Sequence, residues 1–298
     1  MWRARRVRTV TISFALLFDS ALATGQEHQT QAPVAAAATR REAFAVDPIS
    51  DGAIIIGAAA FAGILDVING TGEVLPQQIA LTFDRSQLLP IDRGAISQAV
   101  DPNARAYSNL GLAAAVGYAV LDPILSGVRA RAIQTGLIDA AIYAEAIALT
   151  WGVTNLTKIA VRRPRPQAYI DAEASRGDPS YSNADTDSSL SFFSGHASLT
   201  ASISATSTYL AFVRSPDTLR PWITLGVGVA LTSFVSVERV RGGAHFPTDV
   251  IAGSIAGSSI GLLVGHVHRN EDAEPRRVWV GFAPERSGGG CIQGGGVF

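Results

Sequence analysis

Three short stretches of this chain bring together residue types that handle anions and protons. In SFFSGHAS (191–198), Ser194 and Gly195 stand directly before His196, at what reads as the first turn of a helix. The first N–H groups of a helix have no internal partner and point along the helix dipole, so such a terminus attracts anions. Glycine lets the backbone approach an oxyanion with no Cβ in the way, and His196 projects beside whatever the amides hold. In ERVRGGAHFPTDV (238–250), Arg239 is followed by five residues, His245, three residues and Asp249. Pro247 suits the start of a helix, which places Asp249 in its first turn. From there the carboxylate can reach back to one imidazole nitrogen of His245, fixing the tautomer and leaving the other nitrogen as nucleophile or base. In TKIAVRRPRP (157–166), Pro164 and Pro166 cannot continue a helix, so Lys158 lies at a helix end and Arg165 in an extended turn. Taken singly, each stretch has a plainer reading: a serine N-cap with an incidental histidine, a capping aspartate near a surface histidine, a basic helix C-terminus.

The elements that must position these residues are helices. Six apolar stretches, at about 52–68, 107–126, 137–157, 196–213, 221–237 and 248–267, are each long enough for four to six helical turns. Strand patterning is nearly absent until the end, where RVWVGFAP and GGGCIQGGGVF can pair as a short hairpin or stay loose. The expectation is an all-α, six-helix bundle with long insertions at 69–106 and 159–195. Asp66, Asp122, Asp139 and Glu145 interrupt the apolar stretches, each costing about 2.5–3.5 kcal/mol at the centre of a membrane span unless paired. The stretches suit either a membrane span or a buried helix.

Composition narrows the function classes. Apolar residues make up 47% of the 298, charged residues 16%, and the net charge is −1, so nothing draws the chain to nucleic acid. Cys291 is the only cysteine, which excludes an internal disulfide. Lys158 is the only lysine. His266 and His268 are two positions apart and point to different sides of a helix end, unlike the i,i+4 pairs that bind metals. At the N-terminus, MWRARRVR, the apolar run TVTISFALLF and ALA at 21–23 read as a signal peptide over 1–23. Residues 24–50 read as a mobile leader.

In this order and between these helices, the three stretches resemble the motifs of the type-2 phosphatidic acid phosphatase superfamily. That superfamily also includes bacterial non-specific acid phosphatases and vanadium haloperoxidases. Its motifs K-x(6)-R-P, P-S-G-H and S-R-x(5)-H-x(3)-D are matched by Lys158, Arg165 and Pro166, then Ser194, Gly195 and His196, then Arg239, His245 and Asp249. Phe193 stands where the family usually has proline, and Glu238 where it has serine. The resemblance covers about 137–267, within a helical domain at 51–268 that is followed by a tail at 269–298. It implies that His245, held by Asp249, attacks phosphorus and forms a phosphohistidine while His196 protonates the leaving group. Lys158, Arg165 and Arg239, helped by Ser194 and the amide of Gly195, would neutralise the phosphoryl oxygens with no metal and no cofactor. The substrate would be a lipid phosphate, an isoprenoid pyrophosphate or a small phosphomonoester. The alternatives are a haloperoxidase, with vanadate as phosphate mimic, and a catalytically inactive helical envelope protein. The expected location is the cell envelope, periplasm or inner membrane, with the site facing the periplasm.

Overall fold

The computed structural model describes residues 42–76, 85–178, 180 and 190–270, and two strands at 278–284 and 290–296. The signal peptide expected at 1–23, and the leader as far as residue 41, lie outside the described residues. The helices are α1 (Ser50–Gly70), α2 (Pro90–Arg93), α3 (Ala104–Ala130), α4 (Ile133–Val161), α5 (Pro166–Ala174), α6 (Gly195–Arg214), α7 (Arg220–Arg241) and α8 (Pro247–Val267). The six apolar stretches fall inside the six long ones, and the all-α bundle stands. The short helices α2 and α5 come from the two insertions. Residues 43–269 form one compact unit; a second unit includes residues 270–298, where β1 (Val278–Pro284) and β2 (Gly290–Gly296) pair antiparallel, the hairpin rather than the loose tail of the two expected arrangements.

The bundle is polar and small inside, apolar outside. The central helix, α6, buries Ser198, Thr200, Ser202, Thr206 and Ser207. Two of its hydroxyls meet hydroxyls of α4: Ser198 with Thr154 at 2.9 Å and Ser202 with Thr150 at 3.0 Å. On its other side, Gly253, Gly257, Gly261 and Gly265 of α8 pack against it. A Cβ at Gly257 would lie 1.9 Å from the Ser198 carbonyl oxygen, and one at Gly261 would lie 2.4 Å from that of Ser202. This four-residue spacing of glycine is how helices approach closely in a bilayer, where dispersion and hydrogen bonds replace the hydrophobic effect. The large aliphatics face outward: Ile56, Ile64 and Val67 on α1, Leu110, Val120 and Val128 on α3, Val227 and Val229 on α7, Ile255 and Leu263 on α8. A water-soluble helical domain shows the reverse distribution, so this surface is one for lipid. Helices α1, α3, α4, α7 and α8 are long and apolar enough to cross a membrane. Helix α6, rich in serine and threonine, is enclosed by them.

Every acid in the apolar stretches has a partner, which removes the objection to a span. Asp139 takes a two-pronged contact from Arg214, whose Nε lies 2.9 and 3.1 Å from the carboxylate oxygens. Asp122 accepts from Arg220 at 2.9 Å, Arg129 at 3.1 Å and the Tyr143 hydroxyl at 3.1 Å. Glu145 meets His268 at 2.8 Å, and Asp66 meets Asn155 at 3.2 Å.

The leader is shorter than expected. Phe44 is fully buried in the core, under the Arg214 guanidinium 5.0 Å from its ring centroid, and the Ala45 N–H donates to the His268 carbonyl at 2.9 Å. Asp47 and Asp51 then cap α1 reciprocally, with Ser50 N–H on Asp47 at 2.8 Å and Asp47 N–H on Asp51 at 2.7 Å. Residues 43–49 are therefore packed, because one buried aromatic and a capping pair outweigh the polar composition around them.

Successive long helices run in alternating directions. Helices α3, α6 and α8 start at the end that carries Arg105, Gly195 and Pro247; α1, α4 and α7 finish there. Phe44 and Arg269, joined by a bridge, lie at the opposite end, about 30 Å away along the 21 residues of α8.

Candidate active site

The three stretches meet at one end of the bundle. Helix α4 stops at Val161 because Arg162 adopts a left-handed conformation (φ 45°) ahead of Pro164. Lys158 thus sits in the last turn of α4, and Arg165 is the extended residue before α5. Ser194 caps α6: it is extended, and its hydroxyl accepts from the Ala197 N–H at 3.4 Å. Gly195 opens α6 beside Lys158, whose Nζ would lie 3.7 Å from a Cβ at that position. The start of α6 therefore lies beside the Lys158 ammonium group. Arg239, in the last turn of α7, brings Nη2 to 3.4 Å from His245 Nε2. Pro247 starts α8 as expected, and the Asp249 carboxylate accepts the Phe246 N–H at 2.8 Å.

Asp249 reaches towards His245 but does not hold it directly. His245 Nδ1 is 2.7 Å from the main-chain oxygen of Ser191 and 3.9 Å from Asp249 Oδ2. A carbonyl only accepts, so Nδ1 carries the hydrogen and Nε2 keeps its lone pair, facing Arg239. Asp249 acts one step back. The same oxygen, Oδ2, accepts the Ser191 hydroxyl, which locks the residue whose carbonyl orients the imidazole. The other oxygen accepts from Arg163 Nη1. Arg163 is itself clamped: its Nη2 donates to Asp92 at 2.8 Å, and its guanidinium lies 4.0 Å over the Phe246 ring. Asp92, fully buried on α2, also accepts the Thr248 N–H at 3.0 Å and hydroxyl at 2.7 Å.

Electrostatics tie the two histidines to one place. Burial, then Arg239, Arg165 and Lys158, hold the His245 imidazole well below its ordinary range, with the Ser191 hydrogen bond opposing. Burial and the same three cations push His196, at the mouth of the site, down to about 3. Both imidazoles are neutral at neutral pH, and both feel one cluster of positive charge. Such a cluster is arranged for a multiply charged anion, because charge-assisted hydrogen bonds are each worth about 1.5–3 kcal/mol net. An imidazole whose Nε2 carries no hydrogen can act as a nucleophile, and a second imidazole beside the same cations can pass a proton once a bound anion offsets their charge.

The motif reading missed several residues. Arg163 lies inside the spacing between Lys158 and Arg165, and only its charge marks it. Ser191 orients His245 through a main-chain atom, which leaves no trace in residue type. Asp92 comes from the insertion at 69–106, where no pattern points to the site. His196 Nε2 is 2.7 Å from Asn109 Oδ1 on α3, also outside the motif-bearing region. Glu238, the departure from the family pattern, is buried and pairs with Arg241 at 2.8 Å, which reaches Asp101 at 2.7 Å.

Comparisons with known proteins bear on the region that holds these residues. No curated protein matches the chain. Among solved structures, it is similar to a protein described as the first transmembrane PAP2 type phosphatidylglycerolphosphate phosphatase from Bacillus subtilis, at 18% identity and a TM-score of 0.45, over 76% of this chain and 98% of the other. The PAP2 superfamily model matches residues 139–273, the span that holds Lys158, Arg165, Ser194, Gly195, His196, Arg239, His245 and Asp249. That match makes this part of the chain similar to the PAP2 superfamily, whose motifs the three stretches resemble.

Proposed function

We propose that the protein is a metal-independent phosphatase that hydrolyses a phosphate monoester or pyrophosphate through a phosphohistidine on His245. The observation that carries this reading is that the three stretches meet at one end of the bundle, with Arg239 Nη2 3.4 Å from His245 Nε2 and the Lys158 ammonium group beside Gly195, the residue before His196. In the reaction, Nε2 of His245 attacks phosphorus while the three cations and the first amides of α6 take the non-bridging oxygens. His196 gives a proton to the leaving oxygen. Water then attacks the phosphohistidine, with His196 as base, and frees inorganic phosphate. Phosphoryl transfer asks for positioning and charge stabilisation, which this site is built to supply. The lipid-facing surface favours a lipid phosphate or isoprenoid pyrophosphate over a soluble monoester.

The fold constrains orientation. With α1, α3, α4, α6, α7 and α8 all crossing, residues 43 and 269 lie on one side and the site on the other. A cleaved signal peptide would put residue 43 outside and the site in the cytoplasm, so export of the N-terminus and an outward-facing site are mutually exclusive. The reading we adopt keeps the N-terminus inside and turns the site to the periplasm. Arg129, Arg131, Arg214, Arg220 and Arg269 then flank the cytoplasmic ends, in the sense of the positive-inside rule, although Arg105, Arg162, Arg163, Arg165, Arg239 and Arg241 at the site end blur that bias.

The test is phosphate release by purified protein in detergent, across phosphatidate, an isoprenoid pyrophosphate and soluble phosphomonoesters, in the presence of a chelator. Hydrolysis of at least one by the wild type and of none by His245→Ala is the expected result. Absence of hydrolysis across the panel, or halide oxidation with vanadate and peroxide in its place, would overturn the reading.

A further inference from the structure

His196 has a partner from outside the family match. Its Nε2 lies 2.7 Å from Oδ1 of Asn109, near the start of α3, and the contact joins two helices across the mouth of the site. An amide oxygen only accepts, so the hydrogen of His196 sits on Nε2 and points towards α3. That settles two things a proton donor needs: which nitrogen carries the hydrogen, and in which direction it is given. His196 opens α6 beside the first amides, whereas Asn109 is an exposed residue on the rim.

Resting on the phosphatase reading above, we infer that Asn109 is the positioning residue of the proton donor: it holds the Nε2 hydrogen of His196 towards the α3 side, where the leaving oxygen departs. In balance, the bond between phosphorus and the leaving oxygen breaks as the bond from phosphorus to His245 Nε2 forms. His196 enters as imidazolium, charged when the phosphate dianion offsets Arg239, Lys158 and Arg165. Its Nε2 hydrogen passes to the leaving oxygen, which becomes an alcohol, and a neutral imidazole remains. The leaving oxygen enters beside Asn109 Oδ1 and shares that hydrogen, so the amide keeps the ring turned towards it until the proton passes. Geometry of this kind matters because a general acid contributes about 10²–10⁴ in rate only while it is aimed at the atom it protonates.

The test compares two substrates that differ in need for a proton. Para-nitrophenol leaves without one; an alkanol does not. Kinetics are measured for the full chain in detergent, on para-nitrophenyl phosphate and dodecyl phosphate, with the wild type, Asn109→Ala, Asn109→Asp and His196→Ala. Asn109→Ala is expected to lose about tenfold in kcat on dodecyl phosphate and less than about twofold on para-nitrophenyl phosphate, as a weaker copy of His196→Ala. Asn109→Asp, which keeps an acceptor oxygen, is expected to recover most of the loss. An equal loss on both substrates would make the contact merely structural and overturn the inference, as would an unchanged rate on dodecyl phosphate. A wild type that hydrolyses neither of these nor any member of the panel above overturns the phosphatase reading itself, and is told apart by failing before any variant is compared.

Discussion

The Nδ1 atom of His245 lies 2.7 Å from the main-chain oxygen of Ser191, while the Asp249 carboxylate expected there stands at 3.9 Å. The imidazole is oriented by a backbone atom, and the acid secures that backbone through the Ser191 hydroxyl. A carboxylate held back in this way fixes the tautomer without adding a full negative charge against the ring.

Replacing the proposed nucleophile, His245, should stop turnover and leave the fold. For His245→Ala, phosphate release is expected to fall to background with the melting temperature within a few degrees of wild type. Retention of wild-type rates would remove His245 from the role assigned to it.

The clamp on Asp249 should matter for stability as well as rate. Asp92→Ala leaves the half-buried Arg163 guanidinium and the Thr248 N–H each short of a partner. Breaking a buried pair from one side costs about 3–5 kcal/mol, and a displaced Arg163 loosens Asp249 and then Ser191. A lower melting temperature and a reduced kcat at nearly constant KM are expected. An unchanged melting temperature would show that the clamp is idle.

Anion binding should take up a proton. His196 is held down to about 3 by burial and by Arg239, Lys158 and Arg165; a bound dianion offsets those cations and raises it. Between pH 6 and 7, titration calorimetry with sulfate, a dianion with no proton to release in this range, in buffers of different ionisation enthalpy should show net proton uptake, approaching one per anion in the wild type and reduced in His196→Ala. Proton release on binding would contradict the sign of this coupling.

The contact of α6 with α8 has no room for a side chain. Gly257→Leu is expected to abolish folded protein in detergent extracts, since even a Cβ would lie 1.9 Å from the Ser198 carbonyl oxygen. Gly57→Leu on α1, where a Cβ meets nothing within 4 Å, is the matched control and should accumulate normally. Equal yields of the two would mean that the helices are not packed this closely.

Topology can be read with single cysteines in a Cys291→Ser background. Cysteines at Ile49 and Arg176 should react with an impermeant maleimide from opposite sides of the membrane, with Arg176 accessible in whole cells. Labelling of Ile49 but not Arg176 in whole cells would reverse the orientation, and release of the protein by an alkaline carbonate wash would end the spanning arrangement.

Much of this arrangement is legible in the order of the amino acids. The long helices show as apolar stretches, and the prolines at 164, 166 and 247 place the helix ends that carry Lys158, Arg165 and Asp249. What stays hidden depends on long-range pairing. Asp92 and Asn109 reach the site across the fold from segments with no pattern of their own, and Ser191 contributes a carbonyl common to every residue. The choice between membrane and water is a question of which face of each helix turns outward, and low amphipathicity leaves that open. A further signal lies in the glycines at 253, 257, 261 and 265, a four-residue spacing that marks a helix built for close approach.

The position of Lys158 has a practical corollary. It is the sole lysine of the chain, so outside the α-amine at the terminus there is one primary amine per molecule, and it stands beside Gly195 where the anion would sit. Acylating or reductive-alkylating reagents therefore double as active-site titrants: stoichiometric labelling counts competent molecules, and protection by vanadate measures occupancy without any turnover assay.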